Sequence, residues 1–302
     1  MPSFSTFLKS RMNLIYDPGV ELASLPNPAE LLELRSTRTA LFELLLLAAA
    51  GGLLGAFIVL RQIAFFAHAV GTATFPGSVI AQAASFSPRI AALAVALGYA
   101  GGAERAGRVG RDPGDAATGL LLAAALGGGV ILASDVFASG ASVDRLLFGT
   151  AIGLGGADLA FTTAAAALAA LGVALLGRAW IAVAFDPPGA AGLGVPSARA
   201  DLALLGLVAF AAVAALPAVG ALLVTSVFVV PAAIARTFAG RVQGLVLGAV
   251  VVAAVQGSLG LYVSIWLDVP PGPAVAVVGA SMYAVAAGLR VANATHATGA
   301  PA

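Results

Sequence analysis

Between residues 40 and 290 the chain is a succession of apolar blocks cut by charges or Pro-Gly pairs. The blocks fall at 40–60, 63–84, 88–103, 116–134, 158–182, 201–216, 220–236, 243–266 and 274–290. Most approach or exceed the roughly 18–20 residues that a helix needs to cross a bilayer. The pattern predicts an all-α fold, a polytopic transmembrane helical bundle of about nine spans. The third, sixth, seventh and ninth blocks are short for a full crossing, which suits tilted helices or helices broken around a cavity. An odd number of spans puts the two ends of the bundle on opposite sides.

Composition changes the solvent. Of 302 residues, 60% are hydrophobic and 10% charged, against about 25% charged in an ordinary soluble domain. A mean hydropathy of +1.02 then means that most of the surface faces lipid. The formal charge of +1 and the lack of a basic patch give no reason to expect nucleic acid. With no cysteine, disulfides, thiolate metal sites and thiol catalysis are all excluded.

Arginine sets the orientation. Arg61, Arg105, Arg108, Arg111, Arg178, Arg199, Arg236, Arg241 and Arg290 fall on one side of a nine-span map. The other side carries loops 85–87, 135–157, 217–219 and 267–273, with Asp135, Asp144 and Asp268 against Arg145. The positive-inside rule puts the arginine-rich side in the cytoplasm of a cell-membrane protein. Three regions follow. Residues 1–39 are an extracytoplasmic arm with mixed charges and no signal-peptide core, residues 40–290 are the transmembrane domain, and residues 291–302 are a cytoplasmic tail. Asn293-Ala-Thr295 matches a glycosylation sequon, but on that side it has no use. GGLLG (51–55) and GLVLG (244–248) are small-xxx-small patterns that let helix backbones approach. A general bias toward alanine and glycine explains either one equally well.

Three stretches carry candidate chemistry. FDPPGAAGLGVPSARAD (185–201) joins two spans on the arginine-rich side. Asp186 caps, Pro187 and Pro188 start a short helix, Gly189 and Gly194 turn, and Ala190, Ala191 and Leu193 form a small apolar face. The competing reading is a plain connector. PAVGALLVTSVFVVPAAIAR (217–236) has Thr225 and Ser226 mid-span, and Pro231 interrupts the hydrogen-bond ladder. It lines a pathway or simply kinks for packing. FFAHAVGTATFPG (65–77) puts His68 and Thr72 one turn apart on one face of an apolar span. An intramembrane ionisable group is a functional candidate, although a single imidazole is a sparse metal site and a packed histidine is the alternative. Glu43, at the head of the first block, reads as snorkelling to the interface. Gln256 and Ser258 are compatible with interhelical hydrogen bonds. No Walker loop, HExxH or GxSxG occurs, so the chain has no motif for ATP hydrolysis or proteolysis.

GAFIVLRQIAFFAHAVGTATFPG (55–77) resembles the stretch that marks permeases of the zinc/manganese/iron ABC importer family. That family reads roughly G-x-F-x-V-L-R-R-M-A-F-F-G-D-A-L-S-H-A-V-L-P-G. DRLLFG (144–149), FDPPGAAGLGV (185–195), VGALLVTSVFVVPAAIAR (219–236) and DVPPGPAVAVV (268–278) continue the resemblance, in the family's order and spacing, over residues 40–290. The resemblance implies a permease for a divalent metal ion, zinc or manganese, with a fold similar to the cobalamin importers and a second permease copy as partner. It implies cytoplasmic ATPase subunits holding the ATP, with no cofactor on this chain and no enzyme activity of its own. Residues 186–194 become the coupling helix for those ATPases. Asp144, Arg145, Phe148 and Gly149 become an outer helix facing an extracytoplasmic metal-binding protein. Thr225, Ser226 and Pro231 become pathway residues. His68 occupies the family's Asp position and Thr72 its His position, so the paired metal site is rewritten; in a dimer two His68 rings can face each other. A secondary transporter or channel without ATPase partners is the alternative that the Pro-broken spans also fit.

Overall fold

The computed structural model describes residues 34–83, 86–109, 115–136, 147–150 and 154–298. Asp144 and Arg145 lie outside the described residues, as do most of the N-terminal arm and the last four residues of the tail. Every regular element among the described residues is a helix. In chain order these are α1 (Arg35–Leu60), α2 (Ala64–Ala73), α3 (Phe75–Ala83), α4 (Pro88–Val109), α5 (Asp115–Val136), α6 (Gly156–Phe185), α7 (Pro187–Gly192), α8 (Ser197–Val219), α9 (Val224–Phe238), α10 (Val242–Leu267) and α11 (Pro271–Thr298). Each apolar block is a helix, the second being bent into α2 and α3. Among the described residues six spans are long and apolar enough to cross a bilayer, and apolar stretches at Leu122–Ile131 and Val224–Phe238 are shorter. α1 begins ahead of its apolar block and α11 runs past Arg290, because polar residues continue a helix beyond the hydrocarbon.

α1 is the axis. It packs on α10, α9, α6 and α8, while α11 covers α9 and α10. α2 and α3 pack on α4 and α5, and α8 closes that group against α1. The GGLLG pattern explains why the axis can have so many neighbours. A Cβ on Gly55 would lie 2.0 Å from the Phe228 carbonyl oxygen, and one on Gly52 would lie 2.5 Å from the Val250 Cα. Here α1 meets α9 and α10 backbone to backbone, as small residues permit in lipid. GLVLG behaves differently. Gly248 approaches only the Ala235 Cβ, at 3.2 Å, and Gly244 faces open space.

Of the four short blocks, three lengthen through polar flanks. Only α9 stays short, at 15 residues, or about 22 Å at 1.5 Å per residue. Gly220–Leu223 forms a turn instead of helix, with Gly220 at φ +85°. That turn and the helix end before it are clipped to the 147–150 segment by two backbone bonds. Thr150 N donates to Pro217 O at 2.9 Å, and Leu222 N to Leu147 O at 3.2 Å. Gly149, at φ +72°, meets Ala218 and Gly220 so closely that a Cβ would come within 2.7 Å of their backbone.

Replacing Gly55 by leucine therefore has no space to occupy. The expected cost is about 3 kcal/mol or more from overpacking. In detergent, Gly55→Leu should lose its monodisperse elution peak, whereas Gly244→Leu should elute and melt like the parent.

Candidate functional site

Polar groups sit at three levels along the bundle. At the end that carries Arg61, Trp180 and α7, the loop 186–200 is held tightly. The Asp186 carboxylate accepts a hydrogen bond from Gly189 N at 3.0 Å, and a Cβ on Gly189 would collide with that carboxylate. Trp180, fully buried, donates from Nε1 to Ala200 O at 2.8 Å and meets Phe57 edge-on, with ring centroids 5.0 Å apart. Arg61 pairs with Asp201, tying the α1–α2 turn to the first turn of α8. The predicted short helix is present, capped by Asp186 with Pro187 at its first position and Gly194 in a left-handed turn at φ +77°. Its apolar face differs from expectation. Ala190 turns inward and is buried against the core, while Leu193 stands 83% exposed beside exposed Phe185, Pro188 and Ala191.

At the middle level, His68 Nδ1 and the Thr225 hydroxyl share a hydrogen bond of 3.1 Å across α2 and α9. His68 is half-buried. Thr72 does not join the ring. It is buried and donates its hydroxyl to the His68 carbonyl oxygen at 3.1 Å. The structure thus pairs His68 with Thr225, two residues that sequence spacing left in separate motifs. Ser226 turns away and donates to Leu223 O at 2.6 Å, closing the first turn of α9. Pro231 is buried within α9, in the stretch packed against α1. Behind this level, Gln256 of α10 is almost fully buried, and its Nε2 donates to Ser226 O at 2.9 Å and Val275 O at 3.1 Å. One side chain thereby clasps α9 and α11. Gly279 leaves it room, since a Cβ there would lie 2.3 Å from Nε2.

The third level is a cavity of about 450 Å³ at the opposite end from α7. Its polar lining is Thr74, Ser78, Ser87, Arg89, Thr150 and Asp158, and Val213, Leu216 and Ala221 are among its apolar walls. Thr74 and Ser78 donate their hydroxyls to their own helix, to Gly71 O and Thr74 O, so their oxygens remain acceptors. Arg89 pairs with Asp158, whose other oxygen accepts from Gly155 N at 2.8 Å and caps α6. One turn along α6, Thr162 donates to the Glu43 carboxylate. Glu43 is fully buried. Snorkelling is therefore ruled out: α1 starts eight residues earlier, so Glu43 lies inside the helix packing, where the aliphatic stem cannot reach water. Sequence reading missed this group. Arg89 and Asp158 stand at the starts of two apolar blocks, and only the fold brings these two edges together. The Asp158–Thr162 spacing of four, inside an otherwise apolar run, was the available signal.

An apolar helical bundle with a polar cavity at one end, a polar contact at mid-depth and a rigid loop at the other end is the architecture of a membrane transport subunit. The chain belongs to the ABC 3 transport family, whose model matches residues 33–289. It is 28% identical over 263 residues to the manganese transport system membrane protein MntC of Halalkalibacterium halodurans, covering 85% of this chain and 88% of that protein. It is 28% identical over 240 residues to the chelated iron transport system membrane protein YfeD of Yersinia pestis, covering 78% of each. Among solved structures it resembles PsaBC from Streptococcus pneumoniae in complex with Fab. That match has a TM-score of 0.74 and 22% identity over 85% of this chain and 94% of that one, a likeness of fold.

Gln256→Leu removes the two hydrogen bonds by which one side chain clasps α9 and α11. At about 0.5–1.5 kcal/mol net for each bond, the variant should melt several degrees below the parent. Ser258→Ala in the same helix should leave the melting temperature unchanged.

Proposed function

We propose that this chain is the membrane permease subunit of an ABC importer and forms the translocation pathway for a divalent metal ion, manganese first. The observation that carries the reading is the family match over residues 33–289, together with relatives named for manganese and iron transport. The chain's own groups suit that work. The outer cavity offers hard oxygen donors, which match manganese better than softer metals. His68 and Thr225 stand between that cavity and the far end, and the Nε2 of His68 has no hydrogen-bond partner among the described residues. The shared bond fixes the ring at Nδ1 and leaves Nε2 as the coordinating nitrogen. A lone imidazole binds weakly, which suits transit better than storage, and a second permease copy supplies a second ring.

Cytoplasmic ATPase subunits dock on α7 and hydrolyse the ATP, while this chain holds no cofactor. Leu193 and Phe185 are the apolar contacts they cover. Movement of α7 reaches the pathway through two fixed links, Trp180 to Ala200 and Arg61 to Asp201. The second ends beside Gln62, a non-glycine residue at φ +56°, at the hinge into α2. Closure of the ATPases therefore pulls on the helix that carries His68, and access alternates between the two ends. An extracytoplasmic binding protein delivers the ion to the outer segment around Phe148 and Gly149.

Two outcomes test this. In proteoliposomes with the partner ATPase and binding protein, His68→Ala should cut ATP-driven manganese uptake at least tenfold with the complex intact. Equal uptake returns His68 to packing. Arg61→Gln should keep ATP hydrolysis while uptake falls several-fold, which simultaneous phosphate and metal assays would read as a lowered coupling ratio. Transport by the purified chain alone, driven by an ion gradient, would instead favour a secondary carrier.

A further inference from the structure

The outer cavity contains a charge arrangement that packing alone does not explain. Asp158 is nearly buried, its side chain 11% exposed, and its partner Arg89 is 41% exposed. Arg89 sits in the first turn of α4, directly after Pro88, at the cavity rim. Its guanidinium can leave for water at little cost, whereas Asp158 cannot follow. Glu43 lies one helical turn deeper, on the face of α6 that carries Asp158 and Thr162. It is 0% exposed, and its Oε2 has no hydrogen-bond partner. Both Asp158 and Arg89 act on it electrostatically. Two carboxylates with one mobile cation leave the group one positive charge short when both are ionised. A buried unpaired carboxylate is costly, and a single dipositive ion in place of the guanidinium balances it.

We propose that Asp158 and Glu43 form an outer capture site for a divalent cation, and that Arg89 is its tethered lock. This deepens the transport reading and rests on it. The Asp158 oxygen now held by Arg89 becomes the first ligand. The hydroxyl oxygens of Thr74 and Ser78, already turned into acceptors by donating to their own helix, line the same cavity and add neutral hard donors. Water supplies the rest of an oxygen shell of the kind that manganese, calcium and magnesium take. Glu43 draws the ion inward, and Thr162 holds that carboxylate in place. When the site is empty of metal, Arg89 returns to Asp158 and seals the cavity with a charge that repels other cations. The site is distinct from the His68–Thr225 contact, which shares no hydrogen bond with Asp158, Arg89, Thr162 or Glu43.

The test uses the full chain in lipid nanodiscs and manganese(II) alone, with free ion counted by its paramagnetic resonance signal. Removing the lock should expose the site, so Arg89→Gln should tighten binding about tenfold or more. Asp158→Asn, which keeps the α6 cap through its amide oxygen, should abolish binding at this site in both the parent and the Arg89→Gln background. Glu43→Gln should weaken binding severalfold, and Ser281→Ala, on the exposed face of α11, should leave it unchanged. Unchanged affinity in Arg89→Gln overturns the proposal, as does parental binding in Asp158→Asn. If Asp158→Asn does not fold, the gain in Arg89→Gln decides alone. ATP-driven import by the parent with equal binding in every variant would sink the capture site and leave the transport reading standing. Arg89-controlled binding without import in the complete complex would support the site and remove the transport reading.

Discussion

The rest of the bundle depends on how closely α1 approaches α9 and α10. At Gly52 and Gly55 there is no room for a single carbon between the backbones. In a bilayer, lipid tails solvate leucine as well as a neighbouring helix does, so burial of apolar side chains gives little drive for helices to associate. Close backbone packing and a few interhelical hydrogen bonds take its place. The short separation at the axis fixes where α9 stands, and with it Thr225 opposite His68 and Ser226 opposite Gln256. Adding even a methyl group on that face would part the helices and undo each of these contacts together.

The polar groups follow from the same economy of space. Among the described residues, most buried polar side chains here bond to another helix or to their own backbone. Side chains such as Thr72 and Ser226 satisfy local carbonyls and so serve the helix in which they sit. Those that cross between helices, His68 to Thr225, Gln256 to two carbonyls and Thr162 to Glu43, mark places where the relative position of two helices is specified. Contacts with an exposed or half-buried member, such as Arg89–Asp158 and His68–Thr225, open more readily than the fully buried ones, because water is near enough to take over the lost bond.

Much of this architecture was legible in the chain. Nine apolar blocks became helices, GGLLG became the tight axis, and Asp186-Pro-Pro-Gly became a capped helix at the predicted loop. These are local signals, carried by spacing and by residues with strong backbone preferences. The resemblance to metal-importer permeases was legible too, because it rested on several motifs in order and matched the family now assigned. The polar cavity was not. Its members come from α3, the 86–89 segment, α6 and the α8–α9 turn, and nothing in a single apolar block says which neighbour its polar edge will meet. Glu43 was misread for the same reason. A carboxylate near the head of a span snorkels when the helix begins there, but α1 begins at Arg35 and carries Glu43 into the interior. Ala190 was misplaced because a six-residue helix has fewer than two turns, and which side faces in is decided by its packing on α6 and α8.

The clip between the 147–150 segment and the α8–α9 turn joins main chain to main chain, with Gly149 and Gly220 meeting each other's backbones and Gly272 meeting those of Phe148 and Val219. Such a joint has almost no side-chain slack to absorb a push. A load applied near Phe148 is therefore delivered with little damping to the first residues of α9, where Ser226 closes the helix start and Thr225 holds the histidine ring. The surface near Phe148 and the mid-depth contact are two ends of one lever, and whatever lands on that surface is mechanically in touch with the centre of the bundle.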